Sequence, residues 1–188
     1  MNKPLYLFVG KSASGKTTVA EILECNYKLT TLQSYTTRPK RHESETGHTF
    51  ITDVEFNNLT DIVAYTEYNG YKYCCTKQQI DEADIYVIDV PGVKTLLEKY
   101  QTKRPIMILY FDTTVTTRID RMINRGASDT EIVSRLYNDE QDDWVCELLR
   151  MSREYKINQL QNVESYIIDA NQKLEDVLLD MKFYIAKR

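Results

Sequence analysis

Short apolar runs alternate along the chain with stretches in which apolar residues recur at helical spacing. Apolar runs of strand length occur at residues 5–9, 85–88, 106–111 and 165–168. Helical spacing extends from Thr18 to Leu23, from Val115 to Asn124, from Thr130 to about Asn158, and from Leu174 to Ile185. Continuous apolar runs predict buried strands, and their alternation with helices predicts an α/β fold with a mainly parallel sheet.

The region between the first helix and the second strand has a different pattern. A polar, basic segment covers residues 33–47, and short alternating runs follow at residues 62–65 and 71–73. Asn69-Gly70 separates these two runs, and this dipeptide is a strong signal for a tight β-hairpin turn. We therefore predict a small, partly antiparallel insert that projects from the main sheet.

Two of the helical segments carry boundary signals. Asp129 precedes Thr130 and Glu131, and it is predicted to cap the helix that begins there. Gly126 is predicted to end the preceding helix, because glycine adopts the left-handed conformation of helix C-termini without steric cost. No repeat or low-complexity linker interrupts the pattern, so we expect a single domain.

The loop between the first strand and the first helix carries the most specific motif of the chain. It reads Gly10-Lys11-Ser12-Ala13-Ser14-Gly15-Lys16-Thr17 and matches G-x-x-x-x-G-K-[ST], the phosphate-binding P-loop. Its glycines let several backbone N–H groups face one anion, and the following helix adds its positive dipole end. Lys16 supplies a charge for the terminal phosphates, and the Thr17 hydroxyl can ligate Mg²⁺. A plain glycine turn is the alternative, but strand, loop and helix in this order favour a nucleoside triphosphate site.

Asp89 is a candidate magnesium ligand. It follows the strand predicted at residues 85–88 and precedes Val90-Pro91-Gly92. Ligands bind at the carboxyl end of the strands in open α/β sheets. A carboxylate there can hold Mg²⁺ directly or through water, opposite the P-loop threonine. The alternative is an aspartate that only caps the next helical turn, and the P-loop favours the magnesium role.

A basic segment follows the first βα unit and reads Ser34-Tyr35-Thr36-Thr37-Arg38-Pro39-Lys40-Arg41. Arginine binds phosphate through two parallel hydrogen bonds, and hydroxyl groups satisfy the remaining acceptor oxygens. A basic loop by itself is usually only solvated. In a chain with a P-loop, this segment predicts a second phosphate site that faces the first.

Four arginines follow the strand predicted at residues 106–111, namely Arg118, Arg121, Arg125 and Arg135. Spacings of three and four residues place the first three along one face of a helix. Phosphoryl transfer spreads negative charge over the transferred group, and arginines on a mobile segment can neutralise it. The alternative is a solvated helix face with surface ion pairs. In a chain with a P-loop, the pattern predicts a lid that closes over the triphosphate.

Composition narrows the class of partner. The formal net charge of −4 gives no support for binding to nucleic acid or to an anionic membrane. The four cysteines, Cys25, Cys74, Cys75 and Cys146, form no C-x-x-C pair, so we expect free thiols in a reducing compartment and no zinc site. No apolar stretch approaches the roughly 20 residues that span a membrane, and no signal peptide is recognised. These features predict a cytoplasmic protein.

Taken in order, the motifs resemble the guanylate kinase family over nearly the whole chain. The most specific stretches are Ser34-x-Thr36-Thr37-Arg38-Pro39-x-Arg41, Gly47-x-x-Phe50, Asn69-Gly70-Tyr71-x-Tyr73, Asp89-Val90-Pro91-Gly92-Val93-Lys94, and Arg121-x-x-x-Arg125-Gly126 with Arg135-Leu136. The resemblance implies one domain over residues 1–188, made of a P-loop kinase core (1–33 and 77–188), a monophosphate-binding insert (about 34–76) and a helical lid (about 121–136).

The resemblance also implies roles for individual positions. The ATP side comprises Gly10, Lys11, Ser12, Ala13, Ser14, Gly15, Lys16, Thr17, Thr18 and Asn171, with Asn171 near the adenine. The monophosphate side comprises Ser34, Arg38, Arg41, His48, Ala64, Tyr73, Cys75 and Asp89. The residues expected to stabilise the transferred phosphoryl group are Lys16, Arg121, Arg125 and Arg135. Mg²⁺ is expected on Thr17 and Asp89, directly or through water.

The chain departs from the family pattern mainly where the base is read. His48 replaces a tyrosine that contacts phosphate, and imidazole can donate a hydrogen bond in its place. Ala64 replaces the glutamate that pairs with guanine, and Cys74-Cys75 replaces a glycine and a serine. Glu67 could supply the carboxylate if the hairpin register shifted by a residue or two. The residues expected to bind phosphate are therefore nearly all present, while those expected to recognise the base are altered.

The expected activity is direct transfer of a phosphoryl group from ATP to a nucleoside monophosphate, with GMP or dGMP as the first expectation. The alternatives are a kinase for another ribo- or deoxynucleoside monophosphate, a non-catalytic guanylate kinase-like module that binds phosphorylated peptides, and a P-loop kinase for a small metabolite. The complete P-loop disfavours the module, and the segment from Ser34 to Arg41 disfavours the metabolite kinase. The expected partners are ATP, Mg²⁺ and the monophosphate, in a monomer or homodimer without nucleic acid or membrane.

Overall fold

The computed structural model describes residues 3–139, 144–157 and 162–186. In chain order, the first half contains β1 (Leu5–Val9), α1 (Lys16–Tyr27), β2 (Ser34–Thr36), β3 (His48–Phe50), α2 (Asp53–Asn57), β4 (Ile62–Tyr68), β5 (Tyr71–Thr76) and α3 (Lys77–Glu82). The second half contains β6 (Ile85–Val87), α4 (Val90–Lys99), β7 (Ile106–Asp112), α5 (Val115–Asn124), α6 (Asp129–Asp139), α7 (Trp144–Ile157), β8 (Val163–Asp169) and α8 (Leu174–Ala186).

The main sheet has four strands in the order β6-β1-β7-β8. All three strand pairs are parallel, as the alternating pattern predicts. Successive residues of β1 point to opposite faces of the sheet, and each face has its own apolar core. Leu5 and Leu7 join a cluster that includes residues of α4 and α7, whereas Tyr6 and Phe8 join one that includes residues of α1 and α8. This burial on both faces explains the continuous apolar runs.

The second sheet spans Ser34 to Thr76, the range that the resemblance implies for the insert. Its order is β3-β2-β5-β4, with β2 parallel to β3 and the other two pairs antiparallel. Asn69 and Gly70 form the turn between β4 and β5, with φ values of 51° and 75°. Two successive positive φ values are typical of a type I′ turn, which Asn-Gly favours. The predicted hairpin is therefore confirmed.

The helix boundaries confirm one prediction and correct another. Gly126 follows α5 with a φ of 77°, as expected for the end of that helix. Ser128, rather than Asp129, caps α6, because its Oγ accepts a hydrogen bond from the N–H of Glu131 and Asp129 is already helical. The helix predicted to run to about Asn158 is described as α6 and α7; the residues between these two helices and Asn158 itself lie outside the described residues.

Two expectations from composition can be compared with the structure. All four cysteines carry free thiols, as expected. Burial raises the pKa of Cys74 and of Cys75 to about 12, which keeps both thiols protonated and unreactive. Across the described ranges, no helix combines the length and the apolar character needed to cross a bilayer.

Gly10 lies at the end of β1, where the backbone leaves no room for a side chain. A Cβ at this position would lie 2.8 Å from the carbonyl oxygen of Phe111 and 2.9 Å from Ser14 Oγ, and φ is 152°. We expect Gly10→Ala to lower the free energy of unfolding by roughly 1–3 kcal/mol, because backbone strain and a fixed carbonyl both oppose the methyl group. Urea denaturation followed by circular dichroism measures this loss.

Gly47→Ala is the matched control for this substitution. Gly47 also has a positive φ, 89°, but nothing lies within 4 Å of its added Cβ. Its loss of stability should be smaller than that of Gly10→Ala. Equal losses would contradict the role of the close contact with Phe111.

Candidate functional site

The P-loop curls around the side chain of Lys16 at the carboxyl end of β1. Lys16 Nζ donates hydrogen bonds to the carbonyl oxygens of Gly10 at 2.6 Å and Lys11 at 2.9 Å, and to Ser14 Oγ at 3.1 Å. Burial lowers the pKa of Lys16 to about 8, although the carboxylate of Asp139 opposes this shift. The ammonium group is thus held inside the loop, where a P-loop lysine meets the phosphates of a nucleotide.

A cavity of about 220 Å³ lies between the P-loop and the insert. Lys16 and Asp89 line it from the core, and Ser34, His48 and Tyr73 line it from the insert. Ser34 Oγ lies 2.9 Å from His48 Nδ1, because the parallel pairing of β2 and β3 sets these residues opposite each other. Gly10 lines this cavity as well, so the structure brings six of the predicted site residues around it.

Arg38 and Arg41, two predicted phosphate ligands, already hold a carboxylate. Arg38 Nη2 donates to Glu45 Oε1 at 2.7 Å and Nη1 donates to Oε2 at 3.2 Å, while the N–H of Arg41 donates to Oε2 at 2.6 Å. Burial acts to raise the pKa of Glu45, but these hydrogen bonds outweigh it and lower the pKa to about 2. The segment is therefore preformed to hold an anion with paired oxygens.

The helix α6 faces the insert across a second cavity, of about 200 Å³. Arg38 and Arg41 line it from the insert, and Arg135 lines it from α6, where Arg135 Nη2 donates to Glu131 Oε1 at 2.7 Å. Burial lowers the pKa of Arg41, and the nearby guanidinium group of Arg135 lowers it further. Positive groups held this close together form a site suited to a polyanion.

A third cavity, of about 330 Å³, borders the P-loop and the start of α8. Thr18 and Arg125 line it together with the ring of Phe111. An apolar surface beside basic groups suits a nucleoside and its phosphates. Asn171 lies in the loop beside this cavity, and its Oδ1 accepts a hydrogen bond from the N–H of Thr114 at 2.8 Å. Its side chain therefore ties two loops together, and its contact with adenine stays a prediction.

The arginines of α5 do not share one role. Arg121 Nη1 donates to the carbonyl oxygen of Ser14 at 3.1 Å and Nη2 donates to that of Ala170 at 2.7 Å, so Arg121 holds the P-loop against the loop after β8. Its contact with phosphate stays a prediction. Arg118 is buried in an ion pair with Asp139 at 2.6 Å. Arg118 also faces the P-loop, as Arg121 does, because its Nε donates to the carbonyl oxygen of Ser12 at 2.9 Å.

Asp89 lies at the carboxyl edge of β6, as predicted, and it also caps α4. Its Oδ1 accepts a hydrogen bond from the N–H of Gly92 at 2.8 Å. Burial raises the pKa of Asp89, against the hydrogen bonds from Gly92 and Thr66 that act to lower it. The capping role is therefore real, and it uses one carboxylate oxygen while the side chain lines the first cavity.

The donor set around the P-loop fits Mg²⁺. Thr17 is exposed in the first turn of α1, and Asp89 lines the cavity next to Lys16. Within the part of the chain that the structure describes, no three acidic, histidine or cysteine side chains group into a metal site. Mg²⁺ prefers hard oxygen donors and usually takes one or two protein ligands, with phosphate and water completing its shell. A hydroxyl and a carboxylate meet that requirement.

The base-reading positions are apolar and buried. Ala64 and Cys75 face each other across β4 and β5, at 1% and 0% exposure. Both pack in the same core cluster as Tyr86, which lines the first cavity and is hydrogen-bonded to the Cys75 thiol. Among the described residues, the carboxylate that lines this cavity is that of Asp89. The end of the site that would hold a base is thus formed largely by aromatic and apolar groups.

Glu67, the alternative carboxylate, pairs with Lys72 in the hairpin, and Ala64 pairs with Cys75. The pairing is regular from Ala64 to Tyr68, and a register shift occurs before it, between Ile62 and Ala64. Alternation along the strand places Glu67 and Ala64 on opposite faces. Glu67 is exposed, and its carboxylate accepts a hydrogen bond from the Tyr65 hydroxyl. Glu67 and Ala64 therefore lie on different faces of the strand, and a role for Glu67 in reading the base stays a prediction.

Sequence reasoning missed several residues that shape the site. Asp139 contacts the P-loop, Glu45 occupies the arginine pair, and Thr66 and Tyr86 line the first cavity. Asp139 lies four residues after Arg135, so helical spacing could have placed both on one face of α6. The other three have no local signal, because their contacts depend on how the insert folds against the core.

Two comparisons with known proteins give matches, while no family model matches the chain. A curated guanylate kinase from Nitrosomonas europaea is 26% identical over 143 residues, which cover 70% of this chain and 70% of that protein. The crystal structure of guanylate kinase from Anaplasma phagocytophilum matches with a TM-score of 0.59 and 16% sequence identity, over 99% of this chain and 86% of that one. The structural likeness confirms the predicted α/β fold, and the sequence likeness supports the resemblance that the motifs indicate.

Proposed function

We propose that this chain is a nucleoside monophosphate kinase of the guanylate kinase family, which transfers the γ-phosphoryl group of ATP to GMP or dGMP. The observation that carries the proposal is the meeting of two anion-binding groups. Lys16 lines one cavity, Arg38 and Arg41 line the next, and Tyr73 lines both. A phosphotransferase must bring donor and acceptor phosphates together in line, and two adjoining cationic cavities provide that arrangement.

The residues of this chain would act mainly by positioning and by balancing charge. Arg38 and Arg41 would exchange the carboxylate of Glu45 for the phosphate of the monophosphate, assisted by the hydroxyls of Ser34 and Tyr73. Lys16, Arg125 and Arg135 would balance the charge on the transferring group. The acceptor phosphate oxygen is already ionised at neutral pH, so the reaction requires no general base.

Mg²⁺ would be held by Thr17 and Asp89, directly or through water. When bound, it neutralises phosphate charge and orients the terminal phosphates. Asp89 also caps α4, so this helix would fix the direction of the carboxylate. The two roles are compatible, because an ionised carboxylate has about four acceptor positions and the bonds from Gly92 and Thr66 occupy only part of them.

Contact between the lid and the insert supports the exclusion of water during transfer. Asn138 Nδ2, near the end of α6, donates to Asn69 Oδ1 in the hairpin turn at 2.8 Å. This hydrogen bond closes one side of the arginine-lined cavity. Water that entered there would compete with the monophosphate as acceptor, so closure would favour transfer over hydrolysis of ATP.

A kinase for a different base is the second candidate function, because Ala64 and Cys75 remove the polar groups with which the family reads guanine. A buried carboxylate discriminates strongly between bases, since a wrong base leaves it unpaired. Here Asp89 offers the remaining carboxylate, and the other neighbours are aromatic or apolar. A cavity lined in this way would accept more than one base. The non-catalytic module remains disfavoured by the complete P-loop.

The direct test is ADP formation from ATP and Mg²⁺ with a panel of ribo- and deoxynucleoside monophosphates. We expect GMP or dGMP to stimulate the reaction, and Lys16→Ala to slow it at least about 100-fold. Stimulation by another base alone would support the second candidate function. A chain that binds ATP but responds to no monophosphate would contradict the kinase proposal.

Arg38 should control binding of the monophosphate and not of ATP. Loss of a charged hydrogen-bonding partner costs about 1.5–3 kcal/mol, so Arg38→Ala should raise KM for the monophosphate roughly 10- to 100-fold. KM for ATP should stay nearly unchanged. The matched control is Lys72→Ala, which removes the same charge from the insert where it pairs with Asp53 at the surface. An unchanged monophosphate KM in Arg38→Ala would contradict the assigned phosphate site.

Ala64→Glu tests whether the missing carboxylate at position 64 alters the choice of base. The new carboxylate would lie beside Cys75 and Tyr86, next to the first cavity. It should raise kcat/KM for GMP relative to the other monophosphates by at least about tenfold, because guanine offers paired N–H donors to a carboxylate. Ala64→Gln has the same shape without the charge and should give a smaller change. Equal effects of Glu and Gln in folded variants would contradict this account.

A further inference from the structure

The end of helix α6 carries a buried ion pair that is tied to the P-loop. Asp139 is the last residue of α6, and Arg118 lies on α5, with their side chains 3% and 1% exposed. Arg118 Nη2 donates to Asp139 Oδ2 at 2.6 Å. The two helices flank Gly126 in the predicted lid, so the pair joins the end of α6 to α5.

Ser12 of the P-loop is held by both members of this pair. Its N–H donates to Asp139 Oδ2 at 2.7 Å, and its Oγ lies 3.3 Å from Oδ1. Its carbonyl oxygen accepts a hydrogen bond from Arg118 Nε at 2.9 Å. The backbone N–H and the carbonyl oxygen of Ser12 are therefore both hydrogen-bonded to an ion pair whose residues lie far away in sequence.

The residue before Asp139 contacts the insert. Asn138 Nδ2 donates to Asn69 Oδ1 at 2.8 Å, so consecutive residues of α6 bond to the insert and to the P-loop. Arg135 lies one helical turn earlier and lines the arginine-rich cavity. The position of this guanidinium group over the cavity thus depends on where the end of α6 is attached.

Stability alone does not account for this arrangement. Removing two charges from water costs about as much as their attraction returns, and apolar residues of similar volume are often equally stable. An apolar pair could fill the space between α5 and α6. It could not bond to both the N–H and the carbonyl oxygen of Ser12, and this is the feature that the ion pair adds.

We propose that Arg118 and Asp139 are positioning residues that fix the P-loop and the end of the lid to each other, so that ATP binds to a loop already set beside Arg135. The proposal rests on the proposed function, since it concerns how ATP is gathered for phosphoryl transfer. It assigns to the pair no contact with substrate. Its effect reaches the phosphates through Ser12 and through the placement of α6.

The test compares stability, ATP affinity and turnover in four variants. These are Arg118→Met, Asp139→Leu, the double variant, and Asp120→Asn as a control that removes an exposed charge from α5. Melting temperature is measured for each, the dissociation constant for ATP with Mg²⁺ is measured by isothermal titration calorimetry, and kcat and KM are measured with the best monophosphate of the panel.

We expect each single variant to melt at a lower temperature, because it leaves one buried charge without its partner. The double variant should regain the melting temperature of the wild type, yet its ATP dissociation constant should stay at least about tenfold higher and its kcat about tenfold lower, since small displacements of catalytic groups are costly. KM for the monophosphate should change less than about twofold. The control should match the wild type in every measurement.

Recovery of ATP affinity and kcat together with the melting temperature would overturn the proposal, because the pair would then be structural only. If the double variant does not fold, Asp139→Leu is measured alone below its melting temperature, since leucine removes the acceptor for the Ser12 N–H. Wild-type ATP affinity and kcat in folded Asp139→Leu would likewise overturn the proposal. ATP binding needs no acceptor, so a wild-type chain that binds ATP but phosphorylates nothing would remove the proposed function and leave the ATP-affinity measurement as the test of this proposal.

Discussion

Positive charge gathered around one loop is the constraint on which the rest of the site depends. Burial lowers the pKa of Lys16, Arg41 and Arg125, and nearby guanidinium groups lower it further, so keeping these side chains charged is costly. Carboxylates from the same chain offset that cost. Glu45 holds Arg38 and Glu131 holds Arg135. The cationic groups can therefore converge before any nucleotide is present, and the fold of the insert and lid follows from the need to bring them together.

The sequence predicts features whose causes are local. The P-loop, the four core strands and the Asn-Gly hairpin each follow from residues that are close in the chain, and the structure has each of them. The role of Asp139 could not be derived in this way, because Ser12 lies 127 residues from it along the chain. The cap of α6 was assigned one residue too late, since both Ser128 and Asp129 are good capping residues and only the backbone selects between them.

The positions predicted to contact the base show which features of a site motif comparison can identify. Comparison by position identifies Ala64 as the site of a missing carboxylate, and the structure adds that the position is buried against Cys75 and near Tyr86. The pairing of β4 and β5 places Glu67 and Ala64 on opposite faces of the strand, which hydrophobic pattern alone could not show. The predicted phosphate ligands and the predicted base-reading positions lie on overlapping strands of the insert, because β5 carries both Tyr73 and Cys75.

The carboxylates that occupy the arginines also bear on selectivity against small anions. An inorganic phosphate or sulfate ion that entered the cavity would have to displace Glu45 from Arg38 and Arg41, where three hydrogen bonds hold it. Binding of such an ion replaces one anion by another and buries no sugar or base, so the net gain in binding free energy is small. A nucleotide adds those contacts to the same exchange. Under the proposed function, Glu45 would act as an internal competitor that inorganic anions displace poorly and a complete substrate displaces readily.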